Sequence, residues 1–264
     1  MMHTEQSLIA DLQALGILPG DVITAHMSLK SVGTIDTSEK TGAEVVISAL
    51  KRCVPQGLLA IPSHTYTNLV QEPVFNIRTS EPCIGAVPRV AARMASEAWD
   101  QKDRSCIRSS HPSHSVVAFG KEAYAFVKDD RLAETAFPPF GCYGKLLQMS
   151  GKILLIGVGL ERNSFIHLVD EAFYDDYIAA GRLTPVDKFS VTVIDYDGTA
   201  RACQMRTTHQ PAPSRCYPQY QPLLEQAGAL RYGKFGDADV IVCDARKAYD
   251  AIFQAVRDGF ILQK

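Results

Sequence analysis

His167, Asp170 and Glu171 are the side chains of this sequence best placed to do chemistry. On a helix, residues three and four apart share a face, so either carboxylate can accept a hydrogen bond from the His167 ring. Such a contact fixes the tautomer and leaves the other ring nitrogen free to take a proton, as a general base must. The segment that carries them, Gly151 to Asp176, opens with an apolar run from Ile153 to Val158, broken by Gly157 and Gly159. The run reads as a buried strand, and Asn163 or Ser164 as the cap of the helix that follows. His167 is then expected just beyond the carboxyl edge of a sheet, where α/β proteins bind ligands.

Two more stretches gather polar groups at strand ends. His26, Ser28, Leu29, Lys30, Ser31, Val32 and Gly33 leave a strand for a loop whose backbone amides can hold a phosphate or an amide-containing chain. Arg108, Ser109, His111, Ser113, His114 and Ser115 form a dense polar loop feeding the apolar run Val116 to Phe119. Other motifs fall away. Arg162 stands where a dinucleotide fingerprint needs its third glycine, and there is no P-loop and no G-x-S-x-G elbow. His111 and His114 flank Pro112 in a loop without a cysteine or carboxylate cluster, so no metal is expected. Cys142, between Gly141 and Gly144, has no local base and reads as a packed thiol.

The elements that must position these residues alternate along the chain. Helical signals cover Thr4 to Leu15, Gly42 to Cys53, Gly85 to Trp99, a stretch from Lys121, and Ala245 to Arg257. Strand signals cover Val22 to Ala25, Leu58 to Ile61, Ser115 to Phe119, Ile153 to Val158 and Val240 to Cys243. Residues 63–84 show no periodicity and are expected as a long loop, a class that tends to be functional. Phe189 to Ile194 and Ala202 to Met205 flank Asp197-Gly198, a hairpin turn. The expected architecture is α/β: one large domain over residues 1–264, with a central mixed sheet flanked by helices and an antiparallel hairpin subregion at about 186–210.

Bulk composition sets the class. The chain has 264 residues, 46% hydrophobic and 21% charged, with a formal net charge of -2. No global field favours nucleic acid or an anionic membrane, and no apolar run approaches the roughly 20 residues of a membrane span. Neither is expected as a partner. The first twelve residues are polar and helical in pattern, unlike a signal peptide. Seven scattered cysteines without a C-x-x-C pair suit reduced thiols in a cytoplasmic protein.

Taken together, three blocks resemble the aminoglycoside 3-N-acetyltransferase family: His26-Met-Ser28-Leu29 to Gly33, Arg108-Ser-Ser-His111-Pro112 to Gly120, and Gly151 to Gly159 followed by Asn163-Ser164-Phe-Ile-His167-Leu-Val-Asp170. They run in that order over nearly the whole chain. The resemblance implies acetyl-coenzyme A as donor, a small amine as acceptor, and no metal; a monomer and a homo-oligomer both fit it. It makes His167 the catalytic histidine and Ser164 a hydroxyl near the thioester. Asp170 stands where the family usually has Glu, with Glu171 adjacent, so either can orient the ring. It also places Tyr66 among the site residues, and gives His26 to Gly33 and Arg108, Ser109, His111 and Ser115 to the coenzyme. The departures are Cys142-Tyr143, where antibiotic-modifying members often have Ser-Pro, and Arg89, where an acid commonly follows the proline. Arg89 argues against a polycationic acceptor, whereas Glu171, Asp175 and Asp176 form an acidic stripe that could receive one. The expected reaction is direct transfer with His167 as base. A coenzyme A-binding protein without turnover and a His/Ser thioester hydrolase are the alternatives.

Overall fold

The computed structural model of the chain describes residues 2–206, 208 and 210–264. Its elements in chain order are α1 (Glu5–Ala14), β1 (Val22–Met27), α2 (Gly42–Cys53), β2 (Leu58–Pro62), β3 (Val74–Asn76), α3 (Ala86–Asp100), β4 (Cys106–Arg108), β5 (Val116–Phe119), α4 (Ala123–Val127) and α5 (Cys142–Gln148). Then follow β6 (Lys152–Ile156), α6 (His167–Ala172), α7 (Tyr174–Ala179), β7 (Phe189–Ile194), β8 (Ala200–Met205), α8 (Gln221–Gln226), β9 (Leu230–Phe235), β10 (Ala238–Asp244) and α9 (Ala245–Arg257).

Seven strands form the main sheet in the order β4-β5-β2-β1-β6-β10-β9. The three at its centre, β2, β1 and β6, are parallel, and the strands outside them run antiparallel. Central strands covered on both faces must be apolar throughout, which is why β6 reads Ile153-Leu-Leu-Ile156. Its alternation divides the core: Ile153 and Leu155 pack with α5 and α9 on one face, and Leu154 and Ile156 pack with α1, α2 and α3 on the other. Capping boxes start α1 (Thr4 with Ser7) and α2 (Thr41 with Glu44).

This is the mixed α/β architecture that the alternating pattern predicts. Four elements differ from the sequence reading. Residues 63–84 are not wholly loop, since β3 pairs in parallel with β7, and β8 completes a second sheet of order β3-β7-β8. Strands β4 and β9 join the main sheet although neither has a clean alternation; β9, Leu-Arg-Tyr-Gly-Lys-Phe, is an edge strand with much of its length exposed. The Asn163 side chain caps as expected, accepting from the Phe165 amide, but what it caps is a 3-10 turn over Ser164–Ile166, and the α-helix itself begins only at His167. The hairpin turns at Gly198 (φ +85°), as Asp-Gly requires. Of its expected span, residues 207 and 209 lie outside the described residues.

Candidate active site

A cavity of about 890 Å³ opens at the carboxyl ends of the three parallel strands. Ala25, His26 and Met27 reach it from β1, Ile61 and Pro62 from β2, and Val158 from the turn after β6. Because β2 and β6 flank β1 on opposite sides, the connections leaving them diverge there and leave a crevice. Gly157 makes the exit from β6 possible. It sits at φ +63°, and a Cβ there would overlap the Ser31 side chain. The long 63–84 segment, the start of β7 and the residues after β8 form the remaining wall.

His167 lines this cavity from the first turn of α6. Its Nδ1 lies 3.1 Å from Asp170 Oδ2 and 2.7 Å from the Tyr217 hydroxyl oxygen. Tyr217 donates to the same Asp170 oxygen in a very short contact. An ionised carboxylate can only accept, so Nδ1 carries the ring proton and Nε2 is the basic nitrogen. Burial first, and then the Asp170 charge, push the Tyr217 phenol well above the usual tyrosine range, so it stays a donor. Phe137 stacks on the imidazole at 4.9 Å between ring centroids and 26° between planes, which fixes the ring's second axis. Glu171 does not share in this. It forms an ion pair with Arg206, and burial raises its carboxyl above the usual range despite that cation.

Three more imidazoles line the cavity. His64 Nε2 bonds the Tyr143 hydroxyl at 3.1 Å, and His114 Nδ1 bonds the Ser113 hydroxyl at 2.8 Å. Both are held well below the usual histidine range by burial first, and then by neighbouring imidazoles, His26 foremost for His64 and His64 foremost for His114. His26 is lowered to about 4 by burial and then by His167. Among the described residues its Nε2 is buried with no hydrogen-bond partner. The resting site is therefore a set of neutral rings around one carboxylate-tethered histidine.

The residues anticipated from sequence divide into three groups. His26, Tyr66, Ser164 and His167 line the cavity; Tyr66 stacks on His114 and is 41% exposed at the rim. Ser28, Leu29, Lys30, Ser31, Val32 and Gly33 form a short 3-10 turn beside the cavity without lining it. The Ser28 and Ser31 hydroxyls bond each other, Val32 is in the core, and only Lys30 projects freely. Arg108, Ser109, His111 and Ser115 do not line this cavity and are buried behind its wall. Arg108 is 1% exposed and spends its donors on Ser63, Ser115 and the carbonyls of Ser63, Ile77 and Ser80. Ser109 Oγ accepts from the Val116 amide; His111 donates to the Thr135 carbonyl and accepts from the Ser113 and His114 amides. These four shape the loop that presents Ser113 and His114 to the cavity.

The acidic stripe is also relocated: neither Asp175 nor Asp176 lines the cavity, and Glu171 is consumed by Arg206. Arg89 projects outward beside Glu81 at 3.9 Å, also away from the cavity. Cys142 is buried, with its thiol 3.1 Å from Asp130 Oδ2, and burial followed by that carboxylate raises it well above the usual thiol range. It is a poor nucleophile there. Sequence signals missed Tyr217, His64, Phe137 and Tyr143. His64 sits next to Tyr66 in a stretch already singled out, but Tyr217 meets His167 only through the tertiary fold.

A histidine tethered to a carboxylate at the carboxyl edge of a mixed sheet, opening on a large cavity, places this chain among α/β proteins with a strand-end site. More particularly, the chain belongs to the aminoglycoside 3-N-acetyltransferase family, whose description matches residues 25–257. It is 30% identical over 187 residues to aminoglycoside N(3)-acetyltransferase III of Serratia marcescens, spanning 64% of each chain. It is 25% identical over 269 residues to aminoglycoside N(3)-acetyltransferase III of Pseudomonas aeruginosa, covering 92% of this chain and 90% of the relative. Its fold matches that of AAC-IIIb in binary complex with CoASH at a TM-score of 0.75 and 21% identity, with both chains fully covered. Among the described residues no helix is long and apolar enough to cross a membrane, and no group of three or more histidine, cysteine, aspartate or glutamate side chains could hold a metal ion.

Proposed function

We propose that this protein transfers the acetyl group of acetyl-coenzyme A directly to a small amine, with His167 as general base. The observation that carries the proposal is the His167–Asp170–Tyr217 cluster opening on the strand-end cavity in a chain of this family. The cavity fits such a donor: it has room for a thioester end and an acceptor together, and the unpartnered His26 Nε2 offers a polar contact inside it. His26, Met27 and the adjoining Ser28–Gly33 turn, with Lys30 outermost, would hold the coenzyme. When bound, acetyl-coenzyme A supplies the acyl group and a thiol leaving group.

The chain's own part is proton handling and positioning. His167 Nε2 takes the proton of the attacking amine, help worth roughly 10²–10⁴-fold. Asp170 holds the Nδ1 proton and stabilises the ring once it is charged, while Tyr217 keeps Asp170 in line. The Ser164 hydroxyl, on the cavity wall beside Tyr143, can donate to developing negative charge. Among the described residues that line the cavity, His167 is the one imidazole tied to a carboxylate. Thiol release from acetyl-coenzyme A, followed with and without an amine panel, tests the reading. Release only with an amine supports it. Release without an amine makes the protein a thioester hydrolase, and tight coenzyme binding with no release makes it a binding protein.

A further inference from the structure

We infer that the acceptor is a monoamine on an uncharged body rather than a polycation. The inference rests on the N-acetyltransferase reading above. Among the described cavity-lining residues, the charged side chains other than histidine are one acid, Glu161, and one base, Arg162. The Glu161 carboxylate is partly spent on the Gly159 amide at 3.1 Å. Thr207 and His209, which adjoin the wall in sequence, are not acids by type. Four acids close by in sequence are engaged elsewhere or do not line the cavity. Asp170 serves His167 and Tyr217, Glu171 serves Arg206, and Glu72 and Glu81 of the long segment are not part of the wall. The histidines of the wall supply no negative charge in either protonation state.

The same wall offers apolar surface. Leu69, Val70, Ile84, Val87 and Phe189 line it, and Val70 is 86% exposed at the mouth. A polycation entering here would strip water from several ammonium groups with one carboxylate to meet them, and unpaired buried charge is strongly disfavoured. A monoamine brings a single nitrogen, which must lose its proton to react and has His167 to receive it. Its uncharged body can rest on the apolar wall, the usual construction of a small-molecule site.

The test is steady-state transfer by the full chain, with acetyl-coenzyme A as donor, to phenethylamine and glucosamine as monoamines and to sisomicin as a polycation, at low and physiological salt. The better monoamine is expected to exceed sisomicin in kcat/KM by roughly tenfold or more. Val70→Glu, which adds an acid at the exposed mouth, is expected to raise sisomicin turnover by roughly threefold to tenfold at low salt, and that gain should fade with added salt. The same change should raise the turnover of the monoamines, each of one charge, by a smaller factor than that of sisomicin, or lower it. Sisomicin equal to or better than both monoamines in the wild type, or indifferent to Val70→Glu, would overturn the inference and leave the transferase reading standing. Coenzyme binding by calorimetry with no amine-dependent thiol release for any acceptor would instead sink the transferase reading, and this inference with it.

Discussion

Two polar stretches of this chain look alike in sequence and do opposite work. Asn163 to Glu171 and Arg108 to Ser115 each bring serine, histidine and charged side chains together, and each lies beyond the end of a sheet strand. In the first, His167 is tethered on one nitrogen and keeps the other for a ligand. In the second, Arg108 is buried without a carboxylate and distributes its donors over hydroxyls and carbonyls, with burial lowering its pKa to about 10. What separates a site from a strut is the number of partners a group already has inside the protein.

The sharpest break between the two is His167→Ala. It should reduce acetyl transfer by roughly 10²–10⁴-fold while leaving thermal stability and coenzyme binding nearly unchanged. Turnover close to wild type with the best acceptor would remove His167 from the mechanism. Arg108→Met should do the reverse. It strands several buried acceptors and is expected to cost about 3–5 kcal/mol of stability, while soluble enzyme retains activity per folded molecule. Urea denaturation alongside kinetics separates these outcomes, and an unaltered midpoint would show that the clasp is not structural.

Acid should expose the cost of the buried rings. His26, His64 and His114 have folded-state pKa values below their unfolded ones, so between about pH 6.5 and about 4 the unfolded chain binds protons that the native state refuses. Stability is therefore full above that window and declines as pH falls through it, by up to roughly 1.4 kcal/mol per histidine per pH unit. The decline should be shallower in His64→Gln, measured by urea midpoints across the window. Tyr217→Phe tests the tether more gently. Losing one hydrogen bond to Asp170 should cost about 1–2 kcal/mol of barrier, read as a fall in kcat with KM little changed. The smallest effects are expected for Glu171→Gln and Cys142→Ser, which should keep kcat within a few-fold. A dead Cys142→Ser enzyme that still folds would reopen a covalent route.

Much of this was readable from sequence because its causes are local. The central strands announced themselves through unbroken apolar runs such as Ile153 to Ile156, and the hairpin through Asp197-Gly198. The i, i+3 spacing brought out Asp170, although helix spacing alone could not reject Glu171; Arg206, 35 residues away, does that. Tyr217 has no local signal, since it reaches His167 from a 3-10 segment 50 residues downstream. Strand β3 was hidden for the same reason. Three residues carry no period, and their partner lies far along the chain.

That pairing has a consequence for how the molecule is made. Val74 meets Thr192, and Asn76 meets Ile194, across more than a hundred intervening residues. One wall of the cavity is thus sewn to the rest by a contact that cannot exist until β7 has been synthesised. Long-range parallel pairings are slow to close. A nascent chain can lay down β1 and β2 early, yet stays without a finished binding surface until the hairpin arrives. A chain cut short before it should be left with an open, apolar crevice, a species prone to aggregate.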